Sequence, residues 1–141
     1  MTIKAATPYL ILNGRAEQAI PFYQRALGAK VEALQRFGDV DQSCPAAMKN
    51  QVMHAALRVG DALLMMSDGG PSTEALPQNG NVNVALEFDD PDQARACFDA
   101  LAANGKVVQP LIDAPWGGMF GALGDQFGIN WMFNSARAKK A

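Results

Sequence analysis

Two side chains that could do chemistry lie on one short stretch, residues 51–59, where apolar and polar residues alternate. Such alternation predicts a strand with one face on a core and the other face open. His54 and Arg58 fall on the open face, and His54 is the only histidine of the chain. An imidazole and a guanidinium on one surface could act as an acid/base group and an anion contact. A structural, hydrogen-bonded role for His54 stays open as well.

Other predicted strands add further candidates to the same kind of surface. If a four-stranded sheet curls, the face away from its helix is concave and takes every second side chain. These side chains combine methionines, aromatic rings and a few polar groups, which suits a small, partly aromatic ligand. They are Met65, Asn83, Glu87, Phe120 and Met132, with Trp116 at a strand entrance and Leu10 and Leu12 from the first strand.

Plainer roles remain open for some of these candidates. Arg58 and Glu87 could pair with each other, and the methionines Met65 and Met132 could fill the core. Trp116 suits a dimer contact as well as a ligand. Trp131 points away from Met132 on an alternating strand, so we expect it in the core beneath a helix.

The sequence offers little other chemistry. Cys97 lies on the apolar stripe of a predicted helix and is expected in the core, whereas Cys44 is expected to be an exposed, inert thiol. The chain contains no GxGxxG or GxxxxGK[ST] phosphate loop and no GxSxG nucleophile motif. We therefore expect neither a cofactor nor a covalent nucleophile.

Composition predicts a packed globule rather than a nucleic-acid or membrane protein. The 141 residues are 49% hydrophobic and 18% charged, with a net charge of -2. The only basic cluster is Arg137, Lys139 and Lys140, which is far smaller than a nucleic-acid footprint. The longest apolar run, Ala62–Met66, is well short of the roughly 20 residues that span a bilayer. With no segment resembling a signal peptide, we expect a cytoplasmic protein with two free thiols.

Two helices are predicted from capping signals and apolar stripes. One has Asp90 as its N-cap and Gly105 at its end. The other opens at Asn13 and ends at Gly28, and Pro21 inside it is expected to kink it or loosen its first turn.

The order strand, helix, three strands is predicted twice. Offsets of 76 and 66 residues superpose Lys30 and Val31 on Lys106 and Val107, and Leu57 on Leu123. The predicted strands are Tyr9–Leu12, Lys30–Phe37, Gln51–Val59, Ala62–Ser67, Val82–Phe88, Lys106–Ile112, Met119–Leu123 and Ile129–Asn134. The fold class is therefore α+β, with two βαβββ modules, each a curved mixed sheet with one helix on its outer face and a concave cleft.

The boundaries follow from composition. Module one is expected over residues 1–68 and module two over residues 82–135. A Gly/Pro-rich linker, 69–81, joins them, and a basic tail, 136–141, follows. Because modules of about 65 residues are marginal alone, we expect a single domain.

Paired βαβββ modules are the signature of the vicinal oxygen chelate superfamily, the glyoxalase/bleomycin-resistance/dioxygenase fold. Residues 13–23 resemble the first-helix segment of that family, and residues 124–131 resemble its closing hairpin and last strand. The sequence is similar specifically to the PhnB-like branch, which is often labelled demethylubiquinone methyltransferase-like. That similarity lies in Thr7–Leu10, Met53–Leu57, Met65–Asp68 and Trp116–Gly121. A methyltransferase would need a parallel cofactor-binding sheet with a Gly-rich turn, which this sequence does not predict.

The resemblance implies a divalent metal, usually held by His and Glu on four strands. The corresponding positions here are Pro8, Met65, Asn83 and Met132. Proline has no side-chain donor and thioethers are poor ligands for Mg²⁺ or Mn²⁺, so we expect no metal. The resemblance also implies a homodimer.

Three functions remain in view. The first is metal-independent binding of a small organic molecule in the cleft. The second is a lyase, isomerase or dioxygenase-type enzyme, with His54 as acid/base and Arg58 holding an anion. The third is sequestration of a drug, as in bleomycin resistance, in which Glu87 and the aromatic side chains would face a cationic compound.

Overall fold

The computed structural model describes residues 2–69, 82–115 and 117–135. The chain divides into two compact units, residues 1–76 and 77–141. The predicted linker, apart from Gly69, and the predicted basic tail lie outside the described residues.

The first unit holds one four-stranded mixed sheet. Its strands are ordered β1-β4-β3-β2, with β1 parallel to β4 and the other neighbours antiparallel. The elements are β1 (Tyr9–Ile11), α1 (Ala16–Leu27), β2 (Lys30–Arg36), α2 (Phe37–Val40), a 3₁₀ turn (Ala46–Met48), β3 (Val52–Val59) and β4 (Ala62–Ser67).

The second unit repeats the arrangement with strand order β5-β8-β7-β6 and β5 parallel to β8. The elements are β5 (Val84–Phe88), α3 (Pro91–Ala102), β6 (Lys106–Asp113), β7 (Met119–Gly124) and β8 (Asn130–Ser135). The predicted α+β class with two βαβββ modules is confirmed. The first module carries α2 and the 3₁₀ turn in addition, within the stretch predicted as a long loop.

The repeat extends to the register of the outer strands. Val31 pairs with Leu57 in the first sheet, and Val107 pairs with Leu123 in the second, as the sequence offsets predict. Directly after these pairs, each outer strand has one extra residue, Glu32 in β2 and Val108 in β6. An extra residue of this kind is a β-bulge, which bends the strand and re-aims its side chains.

Helix α1 begins at Ala16 rather than Asn13, because Asn13 adopts a left-handed φ of 49° outside the helix. The helix is continuous through Pro21. It ends at Gly28, whose φ of 66° makes it the left-handed cap that the sequence predicted.

Helix α3 begins as predicted, with the Asp90 carboxylate accepting a hydrogen bond from the Asp92 backbone N–H at 2.9 Å. At the other end, the left-handed residue is Asn104, with a φ of 59°, and not Gly105. Gly105 meets a different need, because a Cβ at this position would collide with the carbonyl oxygen of Gly124.

Each unit buries an apolar core between its helix and one face of its sheet. In the first unit Tyr23 of α1, Leu57 and Met66 are fully buried, and in the second Leu101 of α3 and Phe133 are. Trp131 is also fully buried on this side, as predicted, and Cys97 of α3 is buried too. In the described part of the chain, no helix is long and apolar enough to cross a membrane.

Candidate functional site

The open face of each sheet is the face turned away from its helix. Residues paired in register on neighbouring strands share a face, so the pairing assigns side chains directly. In the first sheet Met65 aligns with Tyr9 on one side and with Ala56 on the other. Strand alternation then places His54 and Arg58 on this same open face.

The predicted contribution of β1 to this face is wrong by one residue. Leu10 aligns with Met66 and is only 6% exposed, so it belongs to the core side, as does the fully buried Leu12. Tyr9 and Ile11, both exposed, occupy the open face instead. Because side chains alternate strictly, a shift of one residue exchanges the two faces of a strand.

Tyr9 and His54 form a hydrogen-bonded pair on this face. The Tyr9 hydroxyl lies 3.0 Å from Nδ1 of His54, and the two ring centroids are 5.8 Å apart. Tyr9 is 47% exposed and His54 is half-buried, so the pair is accessible to a ligand. The register of β1 is the signal that could have found this pair. Tyr9 aligns with Met65 and therefore lies on the same face as His54.

Arg58 has its partner within its own sheet. Its guanidinium binds the Glu32 carboxylate through Nε to Oε1 and through Nη2 to Oε2, the latter at 3.1 Å. The hydrogen bond from Arg58 lowers the pKa of Glu32. Arg58 therefore pairs with Glu32, where the sequence left a pairing with Glu87 open. Glu32 was missed because the register that aligns Lys30 with Arg58, and so brings Glu32 near, is not given by a local pattern.

A buried aspartate fixes the start of the strand that carries His54. Asp68 is 4% exposed, and its carboxylate accepts backbone N–H bonds from Ala16 and from Val52, each at 2.8 Å. Ala16 is the first residue of α1 and Val52 the first of β3. The carboxylate thus joins the helix N-terminus to the strand that presents His54.

The open face of the second sheet is more apolar at the equivalent positions. One row across it joins Glu87, Asn134, Phe120 and Ile112, which are consecutive register partners. The neighbouring row contains Met132, half-buried between Ala85 and Ala122.

The remaining predicted site residues have separate outcomes. Asn83 is exposed and precedes β5, which starts at Val84 instead of Val82. Trp116 lies outside the described residues. Cys97 is buried, and burial raises the pKa of its thiol to about 12, which disfavours the reactive thiolate. Cys44 is half-buried in the segment between α2 and the 3₁₀ turn.

The residues at the family's metal positions do not fit a divalent cation. Pro8 offers no side-chain donor, Met65 and Met132 offer only thioethers, and Asn83 offers a single amide oxygen. Across the described ranges, no three or more His, Cys, Asp or Glu side chains lie close enough together to hold a metal ion.

Comparison with known proteins agrees with this architecture. The profile of the Glyoxalase/Bleomycin resistance protein/Dioxygenase superfamily matches residues 6–133. Protein YjdN of Escherichia coli (strain K12) is 33% identical over 138 residues, which cover 91% of this chain and 92% of that protein.

Two solved structures have the same fold. Protein PA1353 from Pseudomonas aeruginosa is 38% identical with a TM-score of 0.80, and the match covers 96% of this chain and all of that one. A PhnB protein from Bacillus cereus, described as a putative 3-demethylubiquinone-9 3-methyltransferase, is 22% identical with a TM-score of 0.77. That match covers 94% of this chain and all of the other, and at this identity it speaks for the fold alone.

Proposed function

Because the chain belongs to the Glyoxalase/Bleomycin resistance protein/Dioxygenase superfamily, we propose that it binds a small organic molecule on its open sheet faces without the family's metal. The observation that carries the proposal is the donor set at the four metal positions. Met65 and Met132 offer only thioethers, Pro8 has no side-chain donor, and Asn83 has a single amide oxygen. A site in which three of these four side chains are apolar favours a ligand with an apolar body.

The first sheet supports binding by combining apolar and polar groups at short range. Met65 is half-buried between Tyr9 and Ala56, next to the Tyr9–His54 pair. A flat apolar ligand would contact the methionine, while its polar group reaches the imidazole. Glu87, Phe120 and Met132 are the corresponding candidates on the second sheet.

An acid/base enzyme is the second candidate function, and the Tyr9–His54 hydrogen bond is what favours it. A tyrosine and a histidine in contact can move a proton to or from a bound substrate. The sequence-based version, in which Arg58 holds a substrate anion, loses support. Arg58 is bound to Glu32, and it lies four residues beyond His54, about 13 Å along the strand.

The test is a thermal-shift panel on the full chain. It compares Mn²⁺, Ni²⁺ and Zn²⁺ with phosphonates, small oxo-acids, quinones and a bleomycin-type drug, each alone and with metal. We expect stabilisation by an organic compound without metal. A ligand at about 100 times its dissociation constant adds roughly 2.7 kcal/mol to the free energy of unfolding.

Two matched variants give the panel its controls. Met65→Leu keeps the volume and removes the thioether, so a metal-dependent shift that it abolishes would place a metal at the family position and overturn the proposal. His54→Ala separates the two candidates. A binder loses part of its affinity, whereas an enzyme keeps most of its binding and loses turnover.

We propose a homodimer as the state that binds, on the likeness to the family. Light scattering after size exclusion measures the mass directly, and a mass near the 15.0 kDa of one chain would contradict this.

A further inference from the structure

We infer that Tyr9 fixes the proton of His54 on Nε2, so that the first sheet presents one N–H donor and selects ligands with an uncharged acceptor oxygen, such as an aryl ketone. The inference rests on the proposed function, since it names the ligand group that the open face would take. The tautomer can nevertheless be measured without any ligand.

The contact between Tyr9 and His54 favours one direction of hydrogen bonding. A phenol is a strong donor and the unprotonated nitrogen of a neutral imidazole is a strong acceptor. With the hydroxyl 3.0 Å from Nδ1, the phenol donates its proton and Nδ1 accepts it. A neutral imidazole that accepts at Nδ1 carries its own proton at Nε2. Tyr9 is therefore a positioning residue, which acts on a ligand through the ring of His54.

The surroundings of His54 favour an uncharged partner for this donor. The neighbours of His54 on the open face carry no charge: Ala56, two residues along β3, aligns with Met65, and His54 itself aligns with Gln35 of β2. The guanidinium that shares this face, Arg58, is about 13 Å along the strand and is bound to Glu32, and that of Arg36 is bound to Glu17. A carboxylate at His54 would therefore give up its hydration without gaining a cation in return.

The second sheet shows that this donor is particular to the first. The same sequence offsets place Ala85 at the position of Tyr9 and Phe120 at the position of His54. The register confirms the correspondence, because Ala85 aligns with Met132 as Tyr9 aligns with Met65. A hydrogen-bonding pair in one module thus corresponds to a methyl group and a phenyl ring in the other.

The tautomer is measurable by NMR, because His54 is the only histidine and its ring signals need no assignment. In ¹⁵N-labelled protein, at a pH where its own titration shows the ring to be neutral, we expect Nε2 to give the protonated type of signal and Nδ1 the unprotonated type. In Tyr9→Phe both signals should move towards the average of two exchanging tautomers. Ile11→Val, on the same strand and face, is the control and should leave them unchanged.

Two results would overturn the positioning role. One is a wild-type ring protonated at Nδ1, which would mean that His54 donates to Tyr9. The other is an unchanged spectrum in Tyr9→Phe, whose folding is checked by its thermal melting. Since Tyr9 is about half exposed, its loss should not unfold the chain.

Three small probes test the ligand class: acetophenone, its carbonyl-free analogue ethylbenzene, and the anion benzoate. We expect acetophenone to bind about fivefold more tightly than ethylbenzene, the equivalent of one neutral hydrogen bond, and to shift the Nε2 signal. Benzoate should gain nothing over acetophenone. In Tyr9→Phe the preference for acetophenone should shrink towards unity.

The outcomes separate this inference from the proposed function. Equal binding of acetophenone and ethylbenzene would overturn the ligand class and leave a purely apolar binder. Tighter binding of benzoate would also overturn it, in favour of an anion site. If no probe binds while the tautomer is as expected, the aryl-ketone class is overturned and the proposed function loses support, but the positioning role of Tyr9 stands.

Discussion

Glu32 lies in the bulge of β2 and binds Arg58 of the neighbouring strand β3 through both of its carboxylate oxygens. Lys30 aligns with Arg58, so strand alternation places Glu32, two residues further along β2, on the same face as Arg58. This ion pair occupies the guanidinium that the open face of the first module would otherwise offer.

Releasing Arg58 should convert this region into an anion site. Glu32→Gln removes the partner charge, so we expect the affinity for benzoate to rise, with the Arg58 Nε–H signal in the NMR spectrum shifting on titration. Asp61→Asn is the matched control, because Asp61 acts on Arg58 only through its charge. Equal gains in the two variants would mean that net charge, and not release of the guanidinium, is responsible.

Lowering the pH should release Arg58 from Glu32, as the substitution Glu32→Gln does. The hydrogen bond from Arg58 lowers the pKa of Glu32 in the folded chain, so the folded state favours the ionised carboxylate. The contribution of the pair is therefore fully present above the ordinary carboxyl pKa and is lost as the pH falls through the lowered value. A pH titration of the Arg58 Nε–H signal measures this, and Glu32→Gln should abolish the transition.

Asp68 is expected to matter for stability more than any exposed acid. Asp68→Ala leaves two buried N–H groups, on Ala16 and Val52, without their acceptor, at a cost of roughly 2–5 kcal/mol. Asp68→Asn keeps one acceptor oxygen and should cost about half as much. Urea unfolding followed by circular dichroism gives both values. The exposed Asp99 on α3 provides the control, and a similar loss in Asp99→Ala would refute the buried-acceptor argument.

The two thiols should differ sharply in reactivity. Burial raises the pKa of the Cys97 thiol to about 12, so iodoacetamide should label Cys44 in the native chain and reach Cys97 only after unfolding. Because folding holds this thiol protonated, the free energy of unfolding should decline as the pH rises above the ordinary thiol value of 9.0. Cys97→Ala should remove that decline. Labelling of Cys97 at the native rate of Cys44 would contradict its burial.

Two glycines at helix ends should respond differently to alanine. Gly28→Ala places a Cβ in open space at a left-handed φ, which costs about 1–2 kcal/mol. Gly105→Ala forces a Cβ against backbone atoms of Gly124 and Asp125, which cannot turn aside as a side chain would. We therefore expect the larger loss of thermal stability in Gly105→Ala. Equal losses would mean that the β7–β8 turn yields easily.

Periodicity predicted the two modules because it reports local patterns that both modules share. The apolar stripe of α3 and the alternation in β3 each need only the sequence of one element. Leu10 and Leu12 show the limit of predictions made from the sequence of one element. Leucines at alternate positions define two faces, but only the pairing of β1 with β4 decides which face meets the helix. Tyr9 was lost from the candidate site for this reason.

Contacts between elements that are distant in the chain lay beyond the sequence. The pair between Glu32 and Arg58 depends on the register that aligns Lys30 with Arg58, which no composition rule gives. In the sequence, Asp68 is simply an acidic residue after a predicted strand. Its role as acceptor for both α1 and β3 follows only from the way these elements pack. His54 and Met65 were found because they lie on regular strands with an uninterrupted register.

The bulges at Glu32 and Val108 also bear on whether another strand can add to the outer strands β2 and β6. Within each sheet, β2 and β6 are outer strands, and a regular outer strand would offer a row of unpaired N–H and C=O groups to any extended chain. A bulge bends the strand and disturbs the regular spacing of these groups, and Pro110 removes one further N–H from β6. The duplicated irregularity therefore makes β2 and β6 poor templates for the addition of another strand.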